Sequence, residues 1–156
     1  MYKTGIGQDS HSFITKPSSK KCILAGITFD NTPGLIANSD GDVILHAICN
    51  AISSITGTNI LGKKADALCK KGVTNSASFV KKALETLTDK IIHVAIAIEG
   101  SRPHIEDHIT KMRSSIAKIL NIETSQVGIT ATSGEDLTSF GKGHGIKCTA
   151  IITTKE

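Results

Sequence analysis

The residues best suited to chemistry lie in two short segments near the start of the chain. Asp9 and His11 stand two residues apart, and His46 follows the polar segment 39–42, Ser-Asp-Gly-Asp. If the first segment is a strand, its period of two turns the side chains of Asp9 and His11 to the same face. A helix packed over that face can bring His46 to them. One carboxylate and two imidazoles with an open fourth position are typical of a working zinc site, so the sequence predicts one zinc ion per subunit.

Each of these signals also has an ordinary structural explanation. An aspartate near a strand end commonly forms a turn, Ser39 with Asp42 resembles a helix capping box, and a single histidine is more often half-buried than a ligand. The combination favours a metal because all three side chains suit the same ion. Two further features suit an anion. These are the amides at the helix start near Ser39, and the hydroxyls and carboxylate of segment 132–135, which also suit Mg²⁺.

Composition favours an ordinary soluble protein. The 156 residues are predicted to form one domain, 1–156, with 39% hydrophobic residues and no apolar run long enough for a membrane span. The start of the chain has no apolar signal core, which predicts a cytoplasmic location. The net charge of +4 suits an anionic ligand, but only 3% of the residues are aromatic, which argues against a nucleic-acid surface. The four cysteines form no C-x-x-C pair, so reduced, mostly buried thiols are expected.

Hydrophobic periodicity predicts the elements that must position these residues. Apolar residues recur every three or four positions after a cap at Ser39, which predicts a helix to Ile55 with His46, Asn50 and Asp42 on its other side. Strands are predicted at 2–13, 22–27, 91–99, 127–131 and 146–153, and the strand at 91–99 is predicted to carry Ile92 on its apolar face. Further helices are predicted at 79–87 and from 101 to 120, a turn at 31–34, and a long loop at 56–74 with a short helix at 65–69. The order predicts an α+β fold: a four-stranded sheet with helices on one face plus a short N-terminal hairpin.

Several runs of residues occur in the order and spacing of a known enzyme family. They are 5–11, 38–43 with His46, Met112-Arg113, 131–135 and 141–143. The chain resembles the 2-C-methyl-D-erythritol 2,4-cyclodiphosphate synthases of the non-mevalonate route to isoprenoids, from about residue 5 to the end. The resemblance implies a ferredoxin-like subunit, a homotrimer with active sites between neighbouring subunits, and conversion of a cytidyl diphosphate substrate to a cyclic diphosphate with release of CMP.

The resemblance also assigns roles to individual positions. It implies zinc on Asp9, His11 and His46, a second metal, Mg²⁺ or Mn²⁺, near Glu135, and catalytic positions at Asn38 and Ser133. The positions that match the family's substrate contacts are Asp9, Ser10, His11, Asn38, Ser39, Gly62, Gly100, Arg102, Pro103, His104, Thr132, Ser133, Gly134, Glu135, Phe140 and Lys142.

This sequence departs from the family pattern at several of these positions. Asn38 stands where a histidine is usual, Ile60 where a carboxylate would hold the erythritol hydroxyls, and Asn50 where an aspartate would orient a zinc histidine. His104 replaces a frequent lysine, and Lys142 and His144 replace an arginine and a glutamate at the trimer axis. Two other hypotheses therefore stand beside the synthase: a non-catalytic trimeric relative that binds cytidine nucleotide, and a generic zinc phosphohydrolase.

Overall fold

The computed structural model describes all 156 residues, which fold around a mixed four-stranded sheet. The strands are β1 (Tyr2–Ser12), β2 (Lys21–Leu24), β3 (Ile27–Pro33), β4 (Lys90–Glu99), β5 (Val127–Thr132) and β6 (Gly145–Lys155), and the helices are α1 (Val43–Thr56), α2 (Lys63–Lys70), α3 (Ser76–Leu84) and α4 (Ile109–Leu120). The sheet order is β1-β6-β4-β5, with β6 antiparallel to both neighbours and β5 parallel to β4. β2 and β3 form a separate hairpin. The predicted α+β fold is confirmed.

Helix α1 packs directly against strand β1 because two glycines remove the side chains between them. A Cβ atom at Gly5 would lie 2.2 Å from the carbonyl oxygen of Ala51, and one at Gly7 would lie 2.2 Å from that of Ala47. Both positions therefore exclude any other residue at this spacing. Since alternate residues of a strand share a face, Gly5 and Gly7 face α1 together with Asp9 and His11 further along the strand.

The core lies between the helices and one face of the sheet. Val94, Ile96 and Ile98 of β4 are buried there, as predicted, but Ile92 is only half-buried. The pairing of β4 with β6 shifts register between Ile91 and His93, and this irregularity puts Ile91 into the core instead. The opposite face of the sheet is open: the side chain of Ile6 is 61% exposed and that of Ile151 is 39% exposed.

The cap of α1 differs from the prediction. The N-cap is Asp42, whose carboxylate accepts a hydrogen bond from the amide of Leu45 at 3.1 Å, and Ser39 lies outside the helix. Asp42 also accepts from the amides of Ala25 at 2.9 Å and Gly26 at 2.6 Å, so it points to the β2–β3 turn and does not share a face with His46. Burial raises the pKa of Asp42 to about 6.

Several predicted elements have different boundaries, among them the helix predicted at 79–87, which occupies Ser76–Leu84. The strand predicted at 22–27 is divided by the turn at Ala25 and Gly26, where φ is 54° and 74°. Residues 31–33 end strand β3 and do not form a turn. The segment 101–103 is not helical, since the amide of Ser101 donates to Phe140 and α4 starts only at Ile109, after a 3₁₀ turn.

The middle of the chain holds more structure than the predicted loop. Helix α2 occupies Lys63–Lys70 and is longer than the short helix predicted at 65–69. All four cysteines are free thiols, and burial raises the pKa of Cys22 and of Cys49 to about 12. None of the helices has the length and apolar content that crossing a membrane would need.

Replacement of Asp42 tests its role as the tie between α1 and the hairpin. Asp42→Ala leaves the amides of Ala25, Gly26 and Leu45 without an acceptor, so the free energy of unfolding should fall by about 3 kcal/mol. The control is Asp30→Ala, since Asp30 is exposed, and a change below about 0.5 kcal/mol is expected there. Equal effects of the two substitutions in urea unfolding would contradict the assignment.

The carboxyl group of Asp42 should also make the folding stability depend on pH in a predictable direction. Its pKa is about 6 when folded against 3.8 for the free side chain, so its protonation favours the folded state. This contribution is fully present below about pH 4 and is lost as the pH rises through 6. The stability advantage of wild type over Asp42→Asn should therefore shrink between pH 4 and pH 7. An advantage that grows over this range would be inconsistent with a raised pKa.

Candidate metal centre

Asp9, His11 and His46 meet where β1 passes under the start of α1. The Asp9 Oδ2 atom lies 2.9 Å from His11 Nε2 and 2.9 Å from His46 Nδ1, and the two ring nitrogens are 3.2 Å apart. The three ligand atoms all lie within 4.8 Å of one another. The predicted convergence of these side chains is therefore present within one chain.

The electrostatics of the cluster favour an ionised carboxylate. Burial alone would raise the pKa of Asp9, but the hydrogen bonds and charge of His11 and His46 outweigh it and hold that pKa well below its ordinary value. His46 is buried, while Asp9 and His11 are half-buried and border open space. One anionic oxygen and two imidazole nitrogens with an accessible side fit a zinc ion that keeps one position for water or substrate.

Behind His46 the structure shows contacts that the sequence did not predict. His46 Nε2 lies 2.8 Å from Ser76 Oγ, and the Ser76 hydroxyl makes a short hydrogen bond to Asp40. The Ser76 amide donates to the other Asp40 oxygen at 3.0 Å. Asn50, which stands where an orienting aspartate was expected, donates to the carbonyl of Gln8 at 3.2 Å and does not touch His46.

Signals for these two residues were present in the sequence but ambiguous. Asp40 lies inside the segment 39–42, where a cap was the obvious reading, and Ser76 follows Asn75, which caps α3 through the amide of Ala77. A serine after a cap residue is common and points to no partner. Only the packing of α3 against α1 brings Ser76 to His46.

The triad forms one wall of a cavity of about 370 Å³. Helix α2 forms another wall, and the remaining lining residues are Ala37, Asn38, Ser39, Leu61, Gly62, Ala65, Asp66, Cys69 and Phe79. Three of the predicted substrate positions, Asn38, Ser39 and Gly62, therefore share this cavity with the candidate metal ligands. Ser10 does not, because it is exposed on the other face of β1.

Side chains already bind three of the amides at the predicted anion site before α1. The amide of Leu45 is taken by Asp42, that of Gly41 donates to Ser39 Oγ at 3.2 Å, and that of Asp42 donates to Asp40 at 3.0 Å. Local side chains satisfy these three donors, so these three amides are not available to a phosphate.

The remaining predicted substrate positions lie elsewhere on the chain. A second cavity, of about 170 Å³, is lined by Gly100, Ser101, Pro103, His104, Ile105, Glu106, Ala131, Thr132 and Ser133. Arg102 stacks on the ring of Phe13, 4.7 Å from its centre. Glu135, Phe140 and Lys142 lie outside both cavities in the loop that precedes β6. The predicted substrate positions are thus divided between two cavities that share no lining residue, and some of them line neither cavity.

The glutamate expected at the second metal lies on this loop, which also carries Gly134. The carboxylate of Glu135 accepts a hydrogen bond from Ser133 Oγ at 3.4 Å, and its side chain is exposed. It does not join the triad of Asp9, His11 and His46 within one chain. A larger cavity of about 610 Å³ lies near the start of β4, but it contains none of the triad, and its Asp89 already pairs with Lys3 at 2.9 Å.

The sequence of this chain is similar to those of known proteins. Residues 2–155 match the family described as the YgbB family. The chain is 54% identical to the 2-C-methyl-D-erythritol 2,4-cyclodiphosphate synthase of Chlamydia muridarum, over 100% of this chain and 89% of that protein. It is 52% identical to the synthase of the same name from Chlamydia caviae, over 100% and 90% of the two chains.

Solved structures with the same fold include two more distant proteins. The bifunctional IspDF of Campylobacter jejuni matches with a TM-score of 0.88 and 28% identity, over 99% of this chain and 42% of that one. IspF of Plasmodium falciparum, solved as a CDP complex, matches with a TM-score of 0.81 and 26% identity, over 98% and 95% of the two chains. With a family match from residue 2 to 155 and relatives more than half identical along its whole length, the chain belongs to the YgbB family.

Proposed function

We propose that this chain converts 4-diphosphocytidyl-2-C-methyl-D-erythritol 2-phosphate to 2-C-methyl-D-erythritol 2,4-cyclodiphosphate and releases CMP. The activity is that of a phosphorus–oxygen lyase in the non-mevalonate pathway to isoprenoid precursors. One observation carries the proposal: Asp9, His11 and His46 converge at a cavity in a chain 54% identical to a protein named for this reaction. A non-catalytic relative gains no support, because the complete ligand set is retained.

The reaction places modest demands on acid–base groups of the protein. The 2-phosphate of the substrate attacks the β-phosphorus, an oxygen–phosphorus bond forms, and the bond from that phosphorus to the CMP oxygen breaks. A phosphate monoester has its second pKa near ~6, so the attacking oxygen is already ionised at neutral pH. The residues of the site must bring attacker and leaving group into line and offset crowded negative charge.

The roles of individual residues follow from where they stand. Asp9, His11 and His46 would hold the zinc ion, which when bound polarises a phosphoryl oxygen and orients the diphosphate. Asn38, at the cavity wall, can donate an amide hydrogen to a phosphate oxygen in place of the usual imidazole. Lys20 brings a positive charge to the residue before Asn38, since its ammonium donates to the carbonyl of Ala37 at 2.8 Å.

The missing carboxylate at position 60 has a candidate replacement. Ile60 is buried in the core and cannot contact the erythritol hydroxyls. Asp66 of α2 is exposed and lines the triad cavity, where its carboxylate is free to accept hydrogen bonds from hydroxyl groups. We assign the erythritol contacts to Asp66 and to the backbone at Gly62.

The assembly we propose is a homotrimer with active sites between subunits. The triad cavity and the cavity around Thr132 and Ser133 are separate on one chain, and a ligand with two ends needs both. The open sheet face with Ile6 and Ile151, and Leu137 at 83% exposure, offer apolar surface for neighbouring copies. Glu135 of one subunit would then hold Mg²⁺ or Mn²⁺ on the diphosphate. We further propose one domain spanning 1–156, a cytoplasmic location, and no nucleic-acid or membrane partner.

Metal content and product identity test the reaction directly. Protein purified without added metal should carry about one zinc per subunit, and His46→Ala should lower CMP release by about 100-fold or more. The control is His108→Ala, since His108 contacts Phe29 and lies outside the cavity. Product heavier than the cyclic diphosphate by one water would indicate a hydrolase. Equal CMP release by wild type and His46→Ala would refute the proposed function.

Mixing of inactive variants tests whether the site is shared between subunits. The proposed site has two half-sites: the triad cavity on one subunit and the residues around Glu135 on its neighbour. His46→Ala damages the first half-site and Glu135→Ala the second, so each variant alone should have little activity. Random reassembly of the two should restore about a quarter of the wild-type rate, because about one interface in four receives both intact halves. The control mixture is His46→Ala with His11→Ala, which damages the same half-site twice. Recovery in neither mixture would argue against a shared site.

A further inference from the structure

The far side of the His46 ring faces two hydrogen-bonded residues, Ser76 and Asp40, that the proposed reaction does not use. His46 Nε2 lies 2.8 Å from Ser76 Oγ, and Ser76 is completely buried at the first residue of α3. The Ser76 hydroxyl and amide both bond to the carboxylate of Asp40. The loop before α1 is also held to the segment just before α3, since the amide of Asp40 donates to the carbonyl of Thr74 at 2.8 Å.

The number of available hydrogens fixes the direction of each hydrogen bond between Asp40, Ser76 and His46. An ionised carboxylate can only accept, so the single hydroxyl hydrogen of Ser76 goes to Asp40. The oxygen of Ser76 must then accept from its other neighbour, which is His46 Nε2. Nε2 therefore carries a hydrogen, so the ring nitrogen left to give its lone pair to a metal is Nδ1, the atom that faces Asp9 at 2.9 Å.

We propose that Asp40 and Ser76 are a positioning pair that fixes the tautomer and the ring orientation of His46 so that Nδ1 faces the metal. The inference rests on the metal site of the proposed function and extends it to two residues that touch neither metal nor substrate. Metal-binding histidines commonly donate their second ring hydrogen to a fixed acceptor, and loss of that acceptor weakens metal binding about 10–100-fold.

Other neighbours of the ring do not account for this role. Ser39 Oγ is farther from His46 Nε2, at 3.3 Å, and already accepts from the amide of Gly41. Asn50 is bonded to Gln8 on β1. The pair from α3 and the loop before α1 thus takes the place of the aspartate expected at position 50.

Zinc affinity of the metal-free protein, measured by competition with a chromogenic chelator, tests the pair without any assay of turnover. Ser76→Ala removes the acceptor and should weaken zinc binding about 10–100-fold. Asp40→Asn keeps the shape but lets the amide donate to Ser76, which turns the hydroxyl toward His46 and favours the wrong tautomer. A similar weakening is expected.

Two control variants separate positioning from packing. Ser76→Thr keeps the hydroxyl and should retain zinc affinity within about threefold of wild type. Ser53→Ala removes a buried hydroxyl of α1 that has no hydrogen-bond partner, and zinc affinity should not change. Thermal unfolding of each metal-free variant shows whether the fold is intact.

Nitrogen NMR of zinc-loaded wild type gives a readout that does not depend on any variant folding. The expected spectrum has His46 bound through Nδ1 with a hydrogen on Nε2. Zinc bound through Nε2, or a folded Ser76→Ala with affinity within twofold of wild type, would overturn the proposal. If wild type binds zinc with these properties but releases no CMP, the proposed function fails and the positioning pair stands.

Discussion

The close approach of α1 to β1 is the constraint on which the rest of the site depends. Gly5 and Gly7 leave room for the carbonyl oxygens of Ala51 and Ala47, which would lie 2.2 Å from any added Cβ atom. The next two residues of the same strand face are Asp9 and His11, and His46 stands beside Ala47 on the helix. A side chain at either glycine would lift the helix and carry His46 away from its partners. The close packing of α1 on β1 therefore also positions the three candidate metal ligands.

Two aspartates in the loop before α1 hold this geometry in place through contacts to different elements. Asp42 is buried and ties the helix start to the β2–β3 turn through three backbone amides. Asp40 faces the other way and bonds to the hydroxyl and amide of Ser76 at the start of α3. A loop with both ends fixed leaves His46 little freedom to rotate, and a preorganised ligand gives up less entropy when a metal binds.

Local pattern predicted the parts of the structure that depend on neighbours in sequence. The two-residue spacing of Asp9 and His11 on a strand, the apolar stripe of α1 and the α+β order all follow from periodicity, and the triad follows from them. The sequence pattern gave wrong predictions where a group distant in sequence determines the local structure. Asp42 became the cap because the hairpin turn supplies two further amides, and that turn divided the strand predicted at 22–27.

Contacts across long sequence separations explain what remained unpredictable. Ser76 reaches His46 across 30 residues and Asp40 across 36, so no window of sequence contains both partners. The segment 101–103 was predicted as helix from its proline, but its backbone bonds to Phe140 on another loop. The division of the predicted substrate residues between two cavities could not be predicted either, because it depends on which strands, helices and loops pack together in three dimensions.

Anomalous diffraction at the zinc edge, from crystals grown without added metal, tests the central claim most directly. We expect one strong peak per subunit, bounded by a carboxylate oxygen of Asp9, Nε2 of His11 and Nδ1 of His46, with one side open to the cavity. Crystals with no peak there, or with a cation bound away from these three atoms, would contradict it.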